Sequence, residues 1–142
     1  MHTMAPPKLV IAIVDDEEGV RKALRRLFSA ADFEAEAFAS GQAFLDSLAS
    51  KRPDCLVLDL HMPGLNGLDM LRHPALSQAH VPTVVITAHD EPESRTQSLA
   101  AGAAAYLRKP LDDRTLLAAI ASAIGRGEGA AGSSASSENF GD

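Results

Sequence analysis

Two periodicities alternate along the chain. Short apolar runs read as strands. The stretches between them, where apolar residues return every three or four positions, read as helices. Leu9 to Val14 is the first run, apolar on both faces as a strand covered from both sides must be. After Asp15-Asp16-Glu17-Glu18, the residues Val20, Leu24, Leu27, Phe28 and Ala31 recur at helical spacing, and Arg21, Lys22, Arg25 and Arg26 take the other face. Phe33 to Phe38 alternates apolar and polar residues and predicts an edge strand. Ser40 predicts the cap of a short helix bearing Phe44, Leu45 and Leu48. Asp54 to Asp59 is the third strand, stopped by Pro63, Gly64, Asn66 and Gly67. Gly67 to Leu76 predicts a helix broken near Pro74. Thr83 to Thr87 is the fourth strand. Glu93 to Ala101 predicts a weak helix ended by Gly102. Ala104 to Leu107 is the fifth strand, and Asp112 opens a last helix with Leu116, Leu117, Ile120 and Ile124 inward.

Five strands alternating with five helices over Leu9 to Gly125 predict an α/β fold with a parallel sheet and right-handed crossovers. Residues 1–8, with Pro6-Pro7 and no periodicity, predict a flexible N-terminus. Residues 9–125 make the folded domain. In residues 126–142, 11 of 17 are Gly, Ser or Ala, which predicts a disordered tail. The net charge of −6 argues against a general affinity for nucleic acid or an anionic membrane. The first apolar run is too short for a signal-peptide core or a membrane span, so the expected location is cytoplasmic. Cys55 is the only cysteine. It permits no internal disulfide and reads as a small buried hydrophobe.

In a parallel sheet the strands all end at one edge, where ligands bind. Strand one ends in Asp15-Asp16, strand three in Asp59, strand four in Thr87 and strand five in Lys109. Three carboxylates, a hydroxyl and an ammonium thus converge from distant parts of the chain. Like charges at ~4 Å and an effective dielectric of ~20 cost about 4 kcal/mol per pair, so the pocket must protonate an acid or bind a cation. All-oxygen donors favour a hard ion such as Mg²⁺. Mg²⁺ beside Lys109 and Thr87 suits a phosphoryl group, and a carboxylate can be its acceptor. Asp59, central among the strands, is the best placed.

The chain resembles the receiver domain of bacterial two-component response regulators. The resemblance rests on Ile13-Val14-Asp15-Asp16-Glu17, Leu58-Asp59-Leu60-His61-Met62-Pro63-Gly64-Leu65-Asn66-Gly67, Ile86-Thr87-Ala88, and Ala101-Gly102-Ala103 through Tyr106-Leu107-Arg108-Lys109-Pro110. Its wording is most similar to the receiver halves of nitrogen-fixation-type regulators. The resemblance implies a doubly wound, flavodoxin-like sheet of order 2-1-3-4-5 and a cis Lys109-Pro110 bond. It implies that Asp59 accepts a phosphoryl group from a histidine kinase or phosphotransfer protein. Asp15, Asp16, Asp59 and the His61 backbone carbonyl would hold Mg²⁺, with Mn²⁺ as a substitute. Thr87 and Lys109 would hold the phosphate, and Tyr106 would be the switch aromatic. The surface of strand 5 and its neighbouring helices would then change to meet a partner or a second copy. His61 and His89, two positions after Asp59 and Thr87, either tune hydrolysis of the acyl phosphate or are ordinary loop histidines. The basic face of the first helix is either solvated or a docking surface for an acidic partner.

Three function classes compete. The favoured one is a stand-alone receiver acting by protein contacts, not an enzyme beyond its own phosphorylation and dephosphorylation. The second is the receiver fragment of a DNA-binding regulator; only 17 residues follow Gly125, too few for a helix-turn-helix domain. The third is a phosphatase or nucleotide enzyme, disfavoured because neither a P-loop nor Gly-x-Gly-x-x-Gly is present. A phosphate-independent interaction module is the duller variant of the first.

Overall fold

The computed structural model describes residues 7–130, with side chains through Gly125. Five strands form one parallel sheet: β1 (Val10–Val14), β2 (Glu34–Phe38), β3 (Cys55–Asp59), β4 (Thr83–Thr87) and β5 (Ala105–Arg108). Their order is β2-β1-β3-β4-β5, with every neighbouring pair parallel, as the resemblance implied. Six helices connect and flank them: α1 (Glu18–Ala30), α2 (Gly41–Leu48), α3 (Gly67–Leu71), α4 (Pro74–Ala79), α5 (Pro92–Ala100) and α6 (Asp113–Ala130).

Alternation along the buried strands sends successive side chains to opposite faces. Ala12, Val14, Leu56, Leu58 and Val85 face one side with Phe44, Met70, Leu71 and Leu76. Ile11, Ile13, Val57, Val84 and Ile86 face the other with Leu24, Phe28, Leu116 and Ile120. The apolar positions read as inward on α1, α2 and α6 are thus the positions that cover the sheet.

The expected helix count was five, and the described residues form six. The stretch after Asp59 divides because Pro74 cannot continue α3. His73 instead caps a new helix, its Nδ1 accepting from the Ala75 N–H at 3.1 Å, with Pro74 in the first turn. Helix also occupies the first five residues of the segment expected to be a tail. α6 continues to Ala130, because extending a formed helix by one residue is far easier than starting one. The rest of that tail, like residues 1–6 of the expected flexible N-terminus, lies outside the described residues. Capping at Ser40 and Asp112 is as the sequence indicated. Ser40 accepts from Ala43 N–H at 3.1 Å, and Asp112 accepts from the N–H and hydroxyl of Thr115 at 2.9 and 2.8 Å.

Candidate functional site

Strand register brings the polar ends together. Val14 pairs with Leu58, so Asp15 lies level with Asp59; Asp59 pairs with Ile86, one residue before Thr87; Thr87 pairs with Arg108, one residue before Lys109. Carboxylate oxygens of Asp15, Asp16 and Asp59 lie within 4.8 Å of one another. Asp15 and Asp59 are buried and Asp16 is exposed, which leaves the cluster open on one side. Lys109 Nζ lies 2.9 Å from Asp15 Oδ2, 3.7 Å from Glu17 Oε1 and 3.8 Å from Asp59 Oδ1. The Lys109-Pro110 peptide is cis, as expected.

The backbone fixes these acids individually. Asp15 Oδ1 accepts the Glu17 N–H at 2.9 Å, and the Asp15 carbonyl accepts from the Arg21 guanidinium at 2.9 Å. Asp59 Oδ1 accepts only a long bond, 3.4 Å, from the His61 N–H. Asp59 is therefore the least satisfied of the buried acids. Burial, and then the charge of Asp15, push its pKa up to about 6 from an ordinary 3.8, against the opposing pull of Lys109 and the His61 N–H. Burial pulls the Lys109 ammonium down, but its hydrogen bond to Asp15 and the charges of Asp15, Asp59 and Glu17 outweigh it, and its pKa is raised.

Thr87 is fully buried, and its hydroxyl is committed to the following loop. It accepts the His89 N–H at 2.9 Å and donates to the His89 carbonyl at 3.3 Å. The His61 and His89 rings meet edge to face, with centroids 5.0 Å apart, beside the pocket rather than in the acid cluster. Tyr106 is already turned in, only 5% exposed, with Arg95 5.7 Å above its ring. Its hydroxyl is buried without a hydrogen-bond partner that meets distance and angle. Burial and the nearby Asp90 raise its pKa.

The sequence reading missed two partners. Arg21 was grouped with the free basic face of α1, yet it is half-buried and braces the Asp15 carbonyl; only Lys22, Arg25 and Arg26 are exposed there. Gly67 was read as a turn residue. Its Cα packs on the end of β3 so closely that a Cβ would come 2.8 Å from the Asp59 carbonyl and 2.7 Å from Leu60 Cα. Cys55 is buried, with its pKa pushed up to about 12 by that burial, in keeping with a packing role.

The structure thus brings a carboxylate cluster, the partly buried Lys109 and Thr87 to the carboxyl edge of a 2-1-3-4-5 sheet. A sequence model of the response regulator receiver domain matches residues 11–121. The chain belongs to this family. Nodulation protein W of Bradyrhizobium diazoefficiens is 35% identical over 125 residues, 88% of this chain and 55% of that protein. The crystal structure of FixJ-N superposes with a TM-score of 0.77 at 33% identity, covering 84% of this chain and 96% of that one. A receiver protein from Burkholderia phymatum is 42% identical, with a TM-score of 0.75, over 83% of this chain and 96% of that one. The chain spans little more than half the length of curated relatives such as Nodulation protein W. Receiver domains are signalling domains of two-component systems. They accept phosphoryl groups from kinases, and an acidic pocket of the family binds Mg²⁺. Among the described residues, no helix is long and apolar enough to cross a membrane.

Proposed function

We propose that this receiver is switched by phosphorylation of Asp59. The observation that carries the proposal is the placement of Lys109 Nζ, 2.9 Å from Asp15 and 3.8 Å from Asp59, beside three clustered carboxylates. Asp59 is the one buried acid whose oxygens are not tied up by strong bonds, so it is the acid free to attack. One of its oxygens bonds to phosphorus as the bond from phosphorus to the donor's imidazole nitrogen breaks. The electron pair leaves with that nitrogen, on a histidine kinase or phosphotransfer protein.

The pocket suits a hard divalent cation. Its donors are all oxygen, three carboxylates face a single lysine, and the charge of Asp15 adds to burial in raising the Asp59 pKa. Asp15, Asp16, Asp59 and the His61 carbonyl would hold Mg²⁺, or Mn²⁺ in its place. The ion would neutralise the acids and the charge on the transferring oxygens. Lys109 binds a phosphoryl oxygen on the other side. Thr87 donates its hydroxyl to another, which costs it the bond it donates to the His89 carbonyl. That exchange moves the loop after β4, on which Asp90 pairs with Arg108 of β5 at 3.5 Å, and so reaches the α5–β5–α6 surface and Tyr106. Since Tyr106 is already inside, its switch role consists of a change in its partners rather than entry from solvent. His61 and His89 flank the mouth and tune access of water to the acyl phosphate.

The partner of the switched surface is another protein or a second copy. We assign no direct contact with nucleic acid to this net-negative segment, although relatives such as the FixJ proteins are named transcriptional regulators. Intact mass after incubation with Mg²⁺ and acetyl phosphate, with size measured on the same samples, tests the reading. We expect a gain of one phosphoryl group that Asp59→Asn abolishes. Full labelling of that variant refutes the assignment.

A further inference from the structure

β1 runs out of strand partners before its acids begin. Val14 is its last paired residue on either side, with Phe38 of β2 and Leu58 of β3. The Asp15 N–H still donates to the Phe38 carbonyl at 3.2 Å, but the Asp15 carbonyl lies past the end of both ladders. Asp15 is fully buried, and a buried carbonyl needs a donor. Arg21 supplies it. The guanidinium reaches back six residues from the start of α1 and donates at 2.9 Å.

α1 leans on the same contact. Glu17 stands at its cap without a side-chain hydrogen bond. Asp15 holds the turn between β1 and α1 instead, its Oδ1 accepting the Glu17 N–H at 2.9 Å and its carbonyl accepting from Arg21. That carbonyl belongs to the peptide joining Asp15 to Asp16. A peptide unit is planar, so fixing its oxygen fixes the direction in which the chain leaves toward the Asp16 Cα. Asp16 depends on this more than the other two acids do. Asp15 is bonded to Lys109 at 2.9 Å, and Asp59 is buried at the end of β3. Asp16 is exposed, and among the described residues nothing bonds to its carboxylate. Its carboxylate still lies within 4.8 Å of theirs.

We propose that Arg21 is a positioning residue of the acid cluster: by holding the Asp15 carbonyl, it turns the Asp15-Asp16 peptide so that Asp16 can share a cation with Asp15 and Asp59. The inference rests on the reading of this cluster as the Mg²⁺ site. Two effects of the guanidinium oppose each other. Its positive charge repels a divalent cation, and its hydrogen bond orients a carboxylate toward one. Outer hydrogen bonds that orient a metal's ligands are worth about 10–100-fold in affinity, so orientation outweighs the screened charge of a half-buried side chain.

The test is the Mg²⁺ affinity of the unphosphorylated chain, read by two-dimensional NMR from the amides of Asp16, Glu17 and Leu60. Arg21→Met keeps the stem and loses the charge and the donor; Arg21→Gln is too short to reach the carbonyl. Both should bind Mg²⁺ about tenfold more weakly, with native spectra in chelator. Arg21→Lys, which keeps a donor on a long stem, should stay within about threefold of the wild type. Arg26→Met removes an exposed cation from the same helix and should leave the affinity unchanged. Unchanged or tighter binding in Arg21→Met and Arg21→Gln, as charge alone dictates, would overturn the proposal, and so would Arg21→Lys binding as weakly as they do. A wild type without saturable Mg²⁺ binding would instead overturn the reading of the cluster, and the role of Arg21 with it.

Discussion

Replacing Asp59 by asparagine should make the metal-free protein more stable. Folding raises the Asp59 pKa from 3.8 to about 6, so the folded chain holds this proton more tightly than the unfolded chain. The group therefore costs the folded state nothing below pH ~3.8. Its penalty grows as the pH rises through the window up to about 6 and is complete above it. At ~1.36 kcal/mol per pKa unit, the full penalty is roughly 3 kcal/mol. Two effects reduce it. The pocket is open on the Asp16 side, and the variant removes one of the carboxylates that Lys109 faces. The expected gain is about 1–2 kcal/mol at pH 7.5. Urea unfolding in chelator, at pH 4 and pH 7.5, measures it. The variant should exceed the wild type at pH 7.5 and match it near pH 4. Adding Mg²⁺ should narrow the difference by stabilising the wild type. A variant less stable than the wild type at pH 7.5, or a gap as wide at pH 4, would refute the electrostatic account.

Three further outcomes follow from the same structure. Gly67→Ala puts a methyl group against backbone atoms of Asp59 and Leu60 that cannot rotate away, and should destabilise by about 1–3 kcal/mol in thermal unfolding. Lys109→Ala strips the fully buried Asp15 of its cation. We expect a loss of about 2–4 kcal/mol, slower phosphoryl uptake by mass, and no change in the α5–β5–α6 surface on whatever label is gained. Ser98→Ala removes a partnerless buried hydroxyl and favours the helix, and should raise stability by about 1 kcal/mol in denaturant unfolding.

The legible parts of the chain were those decided by local pattern. The apolar runs ending in Asp59 and Thr87 read as strands because they are short, apolar on both faces and bounded by turn residues, with β-branched residues through the second. Asp15, Asp59, Thr87 and Lys109 were found because each follows such a run directly, and strand ends share an edge. Sheet order was not in the pattern and came from the resemblance. The division of α3 from α4 was half visible in Pro74, but the cap by His73 is a side-chain geometry outside the usual capping residues. Arg21 looked like its basic neighbours because periodicity gives a face and not a reach; its long side chain doubles back to the Asp15 carbonyl. Ser98 was invisible for the opposite reason. α5 carries almost no apolar stripe, so nothing in its sequence says which side lies down.

The two flanks of β3 differ in compliance. On the α3 flank, the Gly67 N–H donates to the Leu60 carbonyl at 2.9 Å, and there is no room for even a methyl group beside the Asp59 carbonyl. On the α5 flank Ser98 stands where a packed leucine could, beside a cleft that α3 also lines. A push delivered at the end of β3 therefore meets an anvil on one side and slack on the other.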